Sequence, residues 1–361
     1  MLEITNRSDR LGYTVALQFL PLLFLGAMAG VVADKVDNRH LLLATSGVST
    51  AIALLFGGIV ATGNITIWWV YGLTFTLGVV LAIERPAMQA ILFQLVGPDL
   101  LPSAVATNGT INSVSRLIGP AIAGVLIATT GIEICFYVNA ASYMVVIAAL
   151  LALRTADMVP RPMLGNTKGR LREGLSYVRS RSEVLRPLVI MAVMGTVAYN
   201  FQTTFPAVVK FGFHRGAGAV GTIMSVSAIG SITGGVVIAG KKPHPRTTLA
   251  LTLLALGLPF LAMSVAPGYW TFVAISIVLG FGSATFLAVD TVVLQQATDP
   301  AMQGRVMALH QIAWFGTTPV GALLMGWIIQ VSSPRVPFAL GGISALGCAA
   351  AVMWWPARQP T

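Results

Sequence analysis

The sequence predicts an all-α protein that crosses a membrane about eleven times. Hydrophobic residues make up 56% of the 361 residues, only 9% are charged, and the mean hydropathy is +0.82. Soluble domains carry roughly 25% charged residues, so this chain cannot cover itself with a surface suited to water. Apolar runs of about 18 residues or more recur along the chain, and in hydrocarbon such runs form helices because no water satisfies the backbone.

The predicted membrane spans are the apolar runs between polar breaks. At a rise of about 1.5 Å per residue, each is long enough for a hydrocarbon core about 30 Å thick. The polar segment before the first span does not resemble a cleavable signal peptide. The spans are 11–33, 41–62, 66–84, 104–130, 134–153, 187–209, 216–239, 247–266, 270–293, 306–331 and 337–356.

The net charge of +10 reflects topology rather than nucleic-acid binding. Basic residues concentrate in alternate loops, as expected when Lys and Arg stay on the cytoplasmic side. The opposite side carries Arg7, Arg10, Lys210, Arg215 and Arg335. This distribution predicts a multi-pass protein of the inner membrane with an external N-terminus and a cytoplasmic C-terminus.

No pattern in the chain points to catalysis or to a cofactor. The two cysteines, Cys135 and Cys348, lie inside apolar runs and are interpreted as packing residues. Neither a His/Cys cluster nor a phosphate-binding glycine loop with Lys-Ser/Thr is found in the sequence. We therefore expect no metal, no cofactor and no enzyme activity.

A basic polar stretch, 154–186, divides the chain into an N-terminal bundle, 1–153, and a C-terminal bundle, 187–361. Its second part has helical character. We expect this part to lie on the cytoplasmic membrane surface near anionic lipid headgroups, and a regulatory or partner-binding role is the alternative.

The two bundles repeat each other. Residues 81–84 (LAIE) align with 287–290 (LAVD), and Gly124 aligns with Gly326 at nearly the same offset. Such a repeat is typical of transporters with two parallel halves. The second half has six spans and the first only five, so the partner of 187–209 is expected before Met1. Truncation, a late start codon and genuine loss are the alternatives.

Two motifs resemble the major facilitator superfamily. Residues 30–39 (GVVADKVDNR) resemble its motif A, with Gly30, Asp34, Lys35 and Arg39 at the motif positions. The resemblance implies a fold of two pseudo-symmetric helical bundles. It also implies that Asp34 and Arg39 form a charged latch with Glu84.

The second motif, residues 116–124 (RLIGPAIAG), resembles motif C of exporters in that superfamily through Gly119, Pro120 and Gly124. Small residues at these places let two helices approach closely. Residues 82–90 and 172–179 further resemble the branch that includes enterobactin exporters and macrolide efflux proteins. The resemblance implies export.

Ionisable residues inside spans are costly and are therefore candidates for function. Arg116 is expected either to have a substrate or coupling role or to form a structural ion pair with an acidic residue such as Glu84. Asp290 is expected either to pair with Lys241, Lys242 or Arg246, or to be protonated during transport. His310 is expected to be a boundary residue, and a proton relay is the alternative.

Neutral polar residues provide the remaining candidates. Asn112, Tyr199, Asn200 and Gln202 lie within spans. In the superfamily the first and fourth helices of each half line the central cavity, which favours Tyr199, Asn200 and Gln202. Hydrogen bonding between helices is the alternative for each.

The sequence thus predicts a monomeric secondary transporter that exports small amphipathic molecules, such as drugs or a siderophore, by alternating access. Proton antiport is the expected driving reaction. The competing hypothesis is a transport-incompetent or truncated relative with a sensing or interaction role.

Overall fold

The computed structural model describes residues 1–154, 158–159, 170–238 and 245–354, and within them the chain is helical without a strand. This confirms the predicted all-α class. The helices are α1 Leu2–Thr5, α2 Ser8–Lys35, α3 Asn38–Ala61, α4 Ile67–Thr130, α5 Ile132–Ala152, α6 Arg170–Ser180, α7 Ser182–Val197, α8 Phe201–Ala207, α9 Ala217–Ile238, α10 Pro245–Ser264, α11 Tyr269–Gln296, α12 Gln303–Phe315, α13 Thr318–Val331 and α14 Val336–Trp354. A π-helical turn, Val208–Gly212, extends α8, and a 3₁₀ turn, Pro300–Met302, precedes α12.

Nine helical segments of the described chain are long and apolar enough to cross a membrane. They account for nine of the predicted spans. The other two predicted spans, 11–33 and 104–130, lie in α2 and in the second part of α4, which are helical as well. The protein is therefore an integral membrane protein with many spans.

The predicted loop between the spans 66–84 and 104–130 is wrong, because α4 continues through it. Only Gly97 leaves helical geometry, with φ 70° and ψ 178°. Glycine reaches such a positive φ without strain. Pro98 follows directly after this break, at the first helical position, where the missing N–H of proline costs no hydrogen bond. The polar residues of this stretch are thus placed on a helix.

Two spans predicted as continuous helices are broken near their middles. The span 187–209 divides into α7 and α8 at Ala198–Asn200, and the span 306–331 divides into α12 and α13 at Gly316–Thr317. Side chains satisfy the freed carbonyls: the Asn200 amide donates to the Thr196 carbonyl oxygen at 2.7 Å, and the Thr317 hydroxyl donates to the Ala313 carbonyl oxygen at 2.8 Å. Helix breaks inside a membrane are tolerated where such groups re-satisfy the backbone.

The two halves have the same internal packing. In the first, α2 runs along α4 and α3 runs along α5. In the second, α9 runs along α11 and α10 runs along α14. The repeat seen in the sequence is thus a repeat of helix pairs.

One arginine in each half closes the bundle in the same way. Arg39, at the start of α3, donates from Nε and Nη2 to the carbonyl oxygens of Leu150 and Leu151 at 2.7 and 2.9 Å. Arg246, at the start of α10, donates from Nε to the Val352 carbonyl oxygen at 2.9 Å and from Nη2 to that of Met353. Each guanidinium donates hydrogen bonds to terminal carbonyl oxygens of the last helix of its half. A positive charge is also favoured there by the helix dipole. We call these contacts the arginine clasps.

The halves meet through glycines at the end of the molecule opposite the central loop. Gly124 of α4 faces the backbone of Gly218 on α9, where an added Cβ would lie 3.6 Å from the Gly218 Cα. Gly326 of α13 likewise faces Gly12 of α2, at 3.0 Å from its Cα. The two crossings are repeat mates, because Gly124 aligns with Gly326. Backbone contact of this kind needs residues without side chains.

The first half is less covered than the second. Within the most apolar window of α5, 11% of residues are buried, against 39% for its repeat mate α14. In the second half α7 packs on α14, and residues 1–154, all of which are described, hold no counterpart of α7. One face of α5 is therefore left open by the described residues.

Replacing Gly221 by Ala should weaken the crossing of α4 and α9. Its added Cβ would lie 2.6 Å from the Pro120 carbonyl oxygen, so the helices must move apart, at a cost of about 1–3 kcal/mol. The control is Gly235→Ala on the same helix, where nothing lies within 4 Å. Thermal unfolding of the detergent-purified protein should show a lower midpoint for Gly221→Ala alone, and equal midpoints would contradict the assigned contact.

Candidate functional site

The motif A segment spans the end of α2 and the start of α3. Lys35 is exposed at the end of α2, and the side chain of Asp34 and the surroundings of Gly30 lie outside the described residues. Arg39 is directed to α5 by its clasp. Glu84 is half-buried on α4, and it forms no ion pair with a described residue. The structure thus places Arg39 at a helix end rather than beside Glu84.

Asp37 begins α3. Its carboxylate accepts the backbone N–H of Arg39 at 2.8 Å and lies 3.1 Å from His40 Nδ1. Partial burial alone would raise the pKa of this carboxyl, but the Arg39 N–H and the His40 side chain outweigh it and lower the pKa below its ordinary value. Asp37, which departs from the motif, therefore acts as an N-cap.

The motif C segment lies at the crossing of α4 and α9. Pro120 and Gly124 face Gly221, while nothing lies within 4 Å of an added Cβ at Gly119. The side chain of Arg116 lies outside the described residues. The motif thus supplies part of the backbone contact between the halves.

A buried acid and a buried base meet in the second half. Asp290 of α11 and His310 of α12 are 0% and 1% exposed, and Asp290 Oδ2 lies 2.9 Å from His310 Nε2. The other two polar atoms, Asp290 Oδ1 and His310 Nδ1, find no hydrogen-bond partner among the described residues. Leaving a buried polar atom without a hydrogen bond costs about 1–3 kcal/mol, so such atoms are rare in folded proteins. We call these two residues the buried pair.

The buried pair bears on two expectations from the sequence. Asp290 contacts His310 and not Arg246, because Arg246 is engaged in its clasp on α14. Lys241 and Lys242, the other suggested partners, lie outside the described residues. His310 lies about two turns into α12 and faces Asp290 of α11, and its role as a boundary residue or a proton relay stays a prediction. The predicted spans place Asp290 and His310 near the same side of the membrane, but they do not show that the two side chains are in contact.

The predicted cavity residues have separate environments. The Tyr199 hydroxyl donates to the Ser283 carbonyl oxygen at 3.0 Å, and Asn200 is buried against Gly321. Gln202 is exposed on α8, and Asn112 is exposed on α4, where its amide donates to the Asn108 carbonyl oxygen at 2.9 Å. Tyr199 and Asn200 therefore support helix contacts, and Gln202 keeps its amide free of protein contacts described in the structure.

Sequence reasoning missed an aromatic contact between the halves. Phe315, the last residue of α12, stacks on Trp314 at 5.2 Å and faces Phe19 of α2 at 6.5 Å between ring centroids. The Arg85 guanidinium carbon of α4 lies 4.3 Å from the centroid of the Phe315 ring. A cation over an aromatic face is attracted by the ring quadrupole. Phe19, Arg85, Trp314 and Phe315, which we call the aromatic junction, thus join both halves at the break between α12 and α13.

The comparisons with known proteins agree with this architecture. The family model described as transmembrane secretion effector matches residues 13–360. The chain belongs to this family. Its members are transporters of the major facilitator superfamily and not enzymes, which confirms the resemblance drawn from motifs A and C.

Curated relatives are efflux proteins and transporters. Macrolide efflux protein A of Streptococcus pyogenes is 22% identical over 335 residues, covering 89% of this chain and 81% of the relative. The staphyloferrin A transporter of Staphylococcus aureus is 26% identical over 356 residues, covering 97% and 88%. The multidrug efflux pump Tap of Mycobacterium tuberculosis is 25% identical over 345 residues, covering 88% and 78%.

Solved structures share the fold. The nucleoside transporter NupG superposes with a TM-score of 0.72 at 12% identity, covering 96% of this chain and 90% of that one. A bacterial homolog of the human lysosomal transporter Spinster, in an inward-facing conformation, gives 0.69 at 13% identity, covering 96% and 87%. The chain is thus a membrane transporter by fold and family.

The buried pair should show a strong energetic coupling. Asp290→Leu and His310→Leu each strand a buried polar partner, a loss of about 3–5 kcal/mol, whereas the double variant strands none and should lose less than the sum. The exposed pair of the same chemistry, Asp37 and His40, is the control, since such pairs contribute about 0–1 kcal/mol. Thermal unfolding of the four variants of each cycle measures the coupling, and an equal, small value in both cycles would argue against a buried contact.

Proposed function

We propose that this protein is a secondary active exporter of small amphipathic molecules, driven by proton entry and working by alternating access. The observation that carries the proposal is that one helix, α12, holds both His310 of the buried pair and Phe315 of the aromatic junction. The two residues are five positions apart, or about 7 Å along the helix. A change of protonation at the buried pair can therefore shift α12 and alter the aromatic junction.

The aromatic junction is the proposed place of substrate binding. It lies between the two halves, at a helix break near the middle of a span, and transporters bind their substrates at such places. Aromatic rings with few polar groups suit amphipathic ligands. Gln202, exposed on the neighbouring broken helix, and Asn112 are the further polar candidates for the substrate path, and Arg116 remains a candidate from the sequence. The efflux named for the curated relatives agrees with such substrates.

The buried pair is the proposed proton site. A carboxyl group in contact with an imidazole can pass a proton to it, and each of the two has one polar atom with no other partner among the described residues. Two charged side chains of the described surroundings are engaged elsewhere: Arg305 of α12 contacts Glu173, and Arg246 of α10 contacts α14. Glu183 and Arg186 are the second and fifth residues of α7, which also packs on α11 and α12.

The motif A residues, with Asp34, Arg39 and Glu84, are proposed to stabilise one of the two states. The glycine crossings close the end opposite the central loop in this structure. We assign the central-loop end and the C-terminus to the cytoplasm because Lys and Arg concentrate there, and anionic headgroups are the proposed partners of the basic loop. A monomer contains both halves and is the proposed working unit.

Asp290→Asn should abolish the part of efflux that depends on a proton gradient while leaving the protein folded, because an amide keeps the shape of the carboxyl but cannot release a proton. The measurement is uptake of a fluorescent amphipathic dye into inverted vesicles with and without a pH gradient. The matched control is Asp37→Asn, an exposed carboxyl next to a histidine. Gradient-driven transport that survives in Asp290→Asn would exclude the buried pair as the coupling site. A wild-type protein that moves no substrate of a broad panel would instead favour the transport-incompetent alternative.

A further inference from the structure

Helix α6, which follows the central loop, is held against the connection between α11 and α12. Its Glu173 carboxylate lies 2.9 Å from Arg305 Nη1, and its Tyr177 hydroxyl accepts the backbone N–H of Asp299 at 3.0 Å. Just after α6, Arg181 lies 3.0 Å from the Asp299 carboxylate and 4.8 Å from the Tyr177 ring centroid. Polar contacts two turns apart thus fix one face of α6 on the second half.

Between these polar contacts α6 presents small and apolar residues. At Gly174 an added Cβ would lie 3.2 Å from Arg305 Cβ and 3.5 Å from Leu309 Cδ1, so the helix touches α12 closely. One turn later Val178 is 2% exposed. It belongs to a buried apolar layer whose members are Val178, Val184, Leu188, Leu294 and Val306.

The apolar layer lies next to the buried pair. Leu294 follows Asp290 by four residues on α11, and Val306 precedes His310 by four residues on α12. One helical turn, about 5.4 Å, therefore separates each member of the pair from a member of the layer. Because α11 and α12 both run to the connection that α6 covers, the layer lies between the pair and α6.

We propose that α6 is a removable cover of the buried pair, with Gly174 and Val178 as its sealing residues. This inference deepens the proposed function, since it assigns a controlled water path to the proposed proton site. With α6 seated, the pair exchanges no proton with water from the central-loop end. With α6 displaced, Asp290 Oδ1 and His310 Nδ1 become accessible to water from that end.

The connection of α6 gives the cover a physical control. The central loop joins α6 to α5 of the first half, whereas the contacts of α6 lie on the second half. The ion pair of Glu173 and Arg305 is partly exposed, and such pairs are weak enough to break during a transport cycle.

The test measures accessibility and needs no substrate. Diethylpyrocarbonate, which acylates imidazoles that water can reach, is applied to the full chain in lipid vesicles, and modification of His310 is followed by peptide mass spectrometry. Val178→Asn places an amide in the apolar layer, and it should raise the modification rate of His310 about tenfold, as expected for local opening. Leu175→Asn, at an exposed position of the same helix, is the matched control and should leave the rate unchanged.

A milder variant guards against misfolding. Glu173→Gln removes the ion pair with Arg305 without changing the apolar layer, and it should raise the His310 rate in the same direction with the rate at exposed His40 unchanged. Equal His310 rates in wild type, Val178→Asn and Glu173→Gln would overturn the cover, as would an equal rise in Leu175→Asn. The result is independent of the dye assay: a faster His310 reaction supports the cover even if Asp290→Asn still transports with the gradient, in which case the proposed proton coupling fails alone.

Discussion

The architecture depends on backbone contact between helices. In hydrocarbon the hydrophobic effect does not draw helices together. Their association therefore depends on close packing. Added Cβ atoms at Gly230 and Gly280 would collide with carbonyl oxygens of the partner helix, those of Ile277 and Ser227. These two residues lie on α9 and α11, which form the most closely packed helix pair of the second half. The same kind of glycine backbone contact joins the halves at Gly124 and Gly326. Packing within a half and packing between the halves therefore share one physical basis.

Most of the fold could be predicted from the sequence because its signals are local. Apolar runs bounded by charges mark spans, and the alignment of 81–84 with 287–290 marks the repeat. The breaks at Ala198–Asn200 and Gly316–Thr317 could not be predicted in this way. They are stabilised by contacts of Asn200 and Thr317 with carbonyls, and the sequence shows only ordinary polar residues there.

The sequence indicated which residues are candidates for the site, but it did not indicate which of their side chains are in contact. Asp290 and His310 were both candidates, since ionisable groups in apolar runs are rare. Their pairing depends on how α11 and α12 face each other across a turn, and sequence spacing does not fix that rotation. Arg85 and Phe315 belong to different halves, and nothing local in either segment indicates the other. The arginine clasp explains why Arg246, one of the three suggested partners of Asp290, is engaged elsewhere.

The repeat also shows where the halves differ. The positions that hold Asp290 and His310 in the second half hold Glu84 and Asn108 in the first. Glu84 is half-buried and Asn108 is exposed, so the first half has no such acid–base contact at these positions. Among the described residues, the buried acid–base contact therefore lies in the second half.

The arginine clasps have a consequence for the mechanics of the molecule. Each one ties the first turn of α3 or α10 to the last turn of the final helix of the same half. These ties lie inside a half, whereas the glycine crossings and the aromatic junction lie between the halves. A half can therefore move as one unit, with its clasp closed, only if the contacts between the halves rearrange.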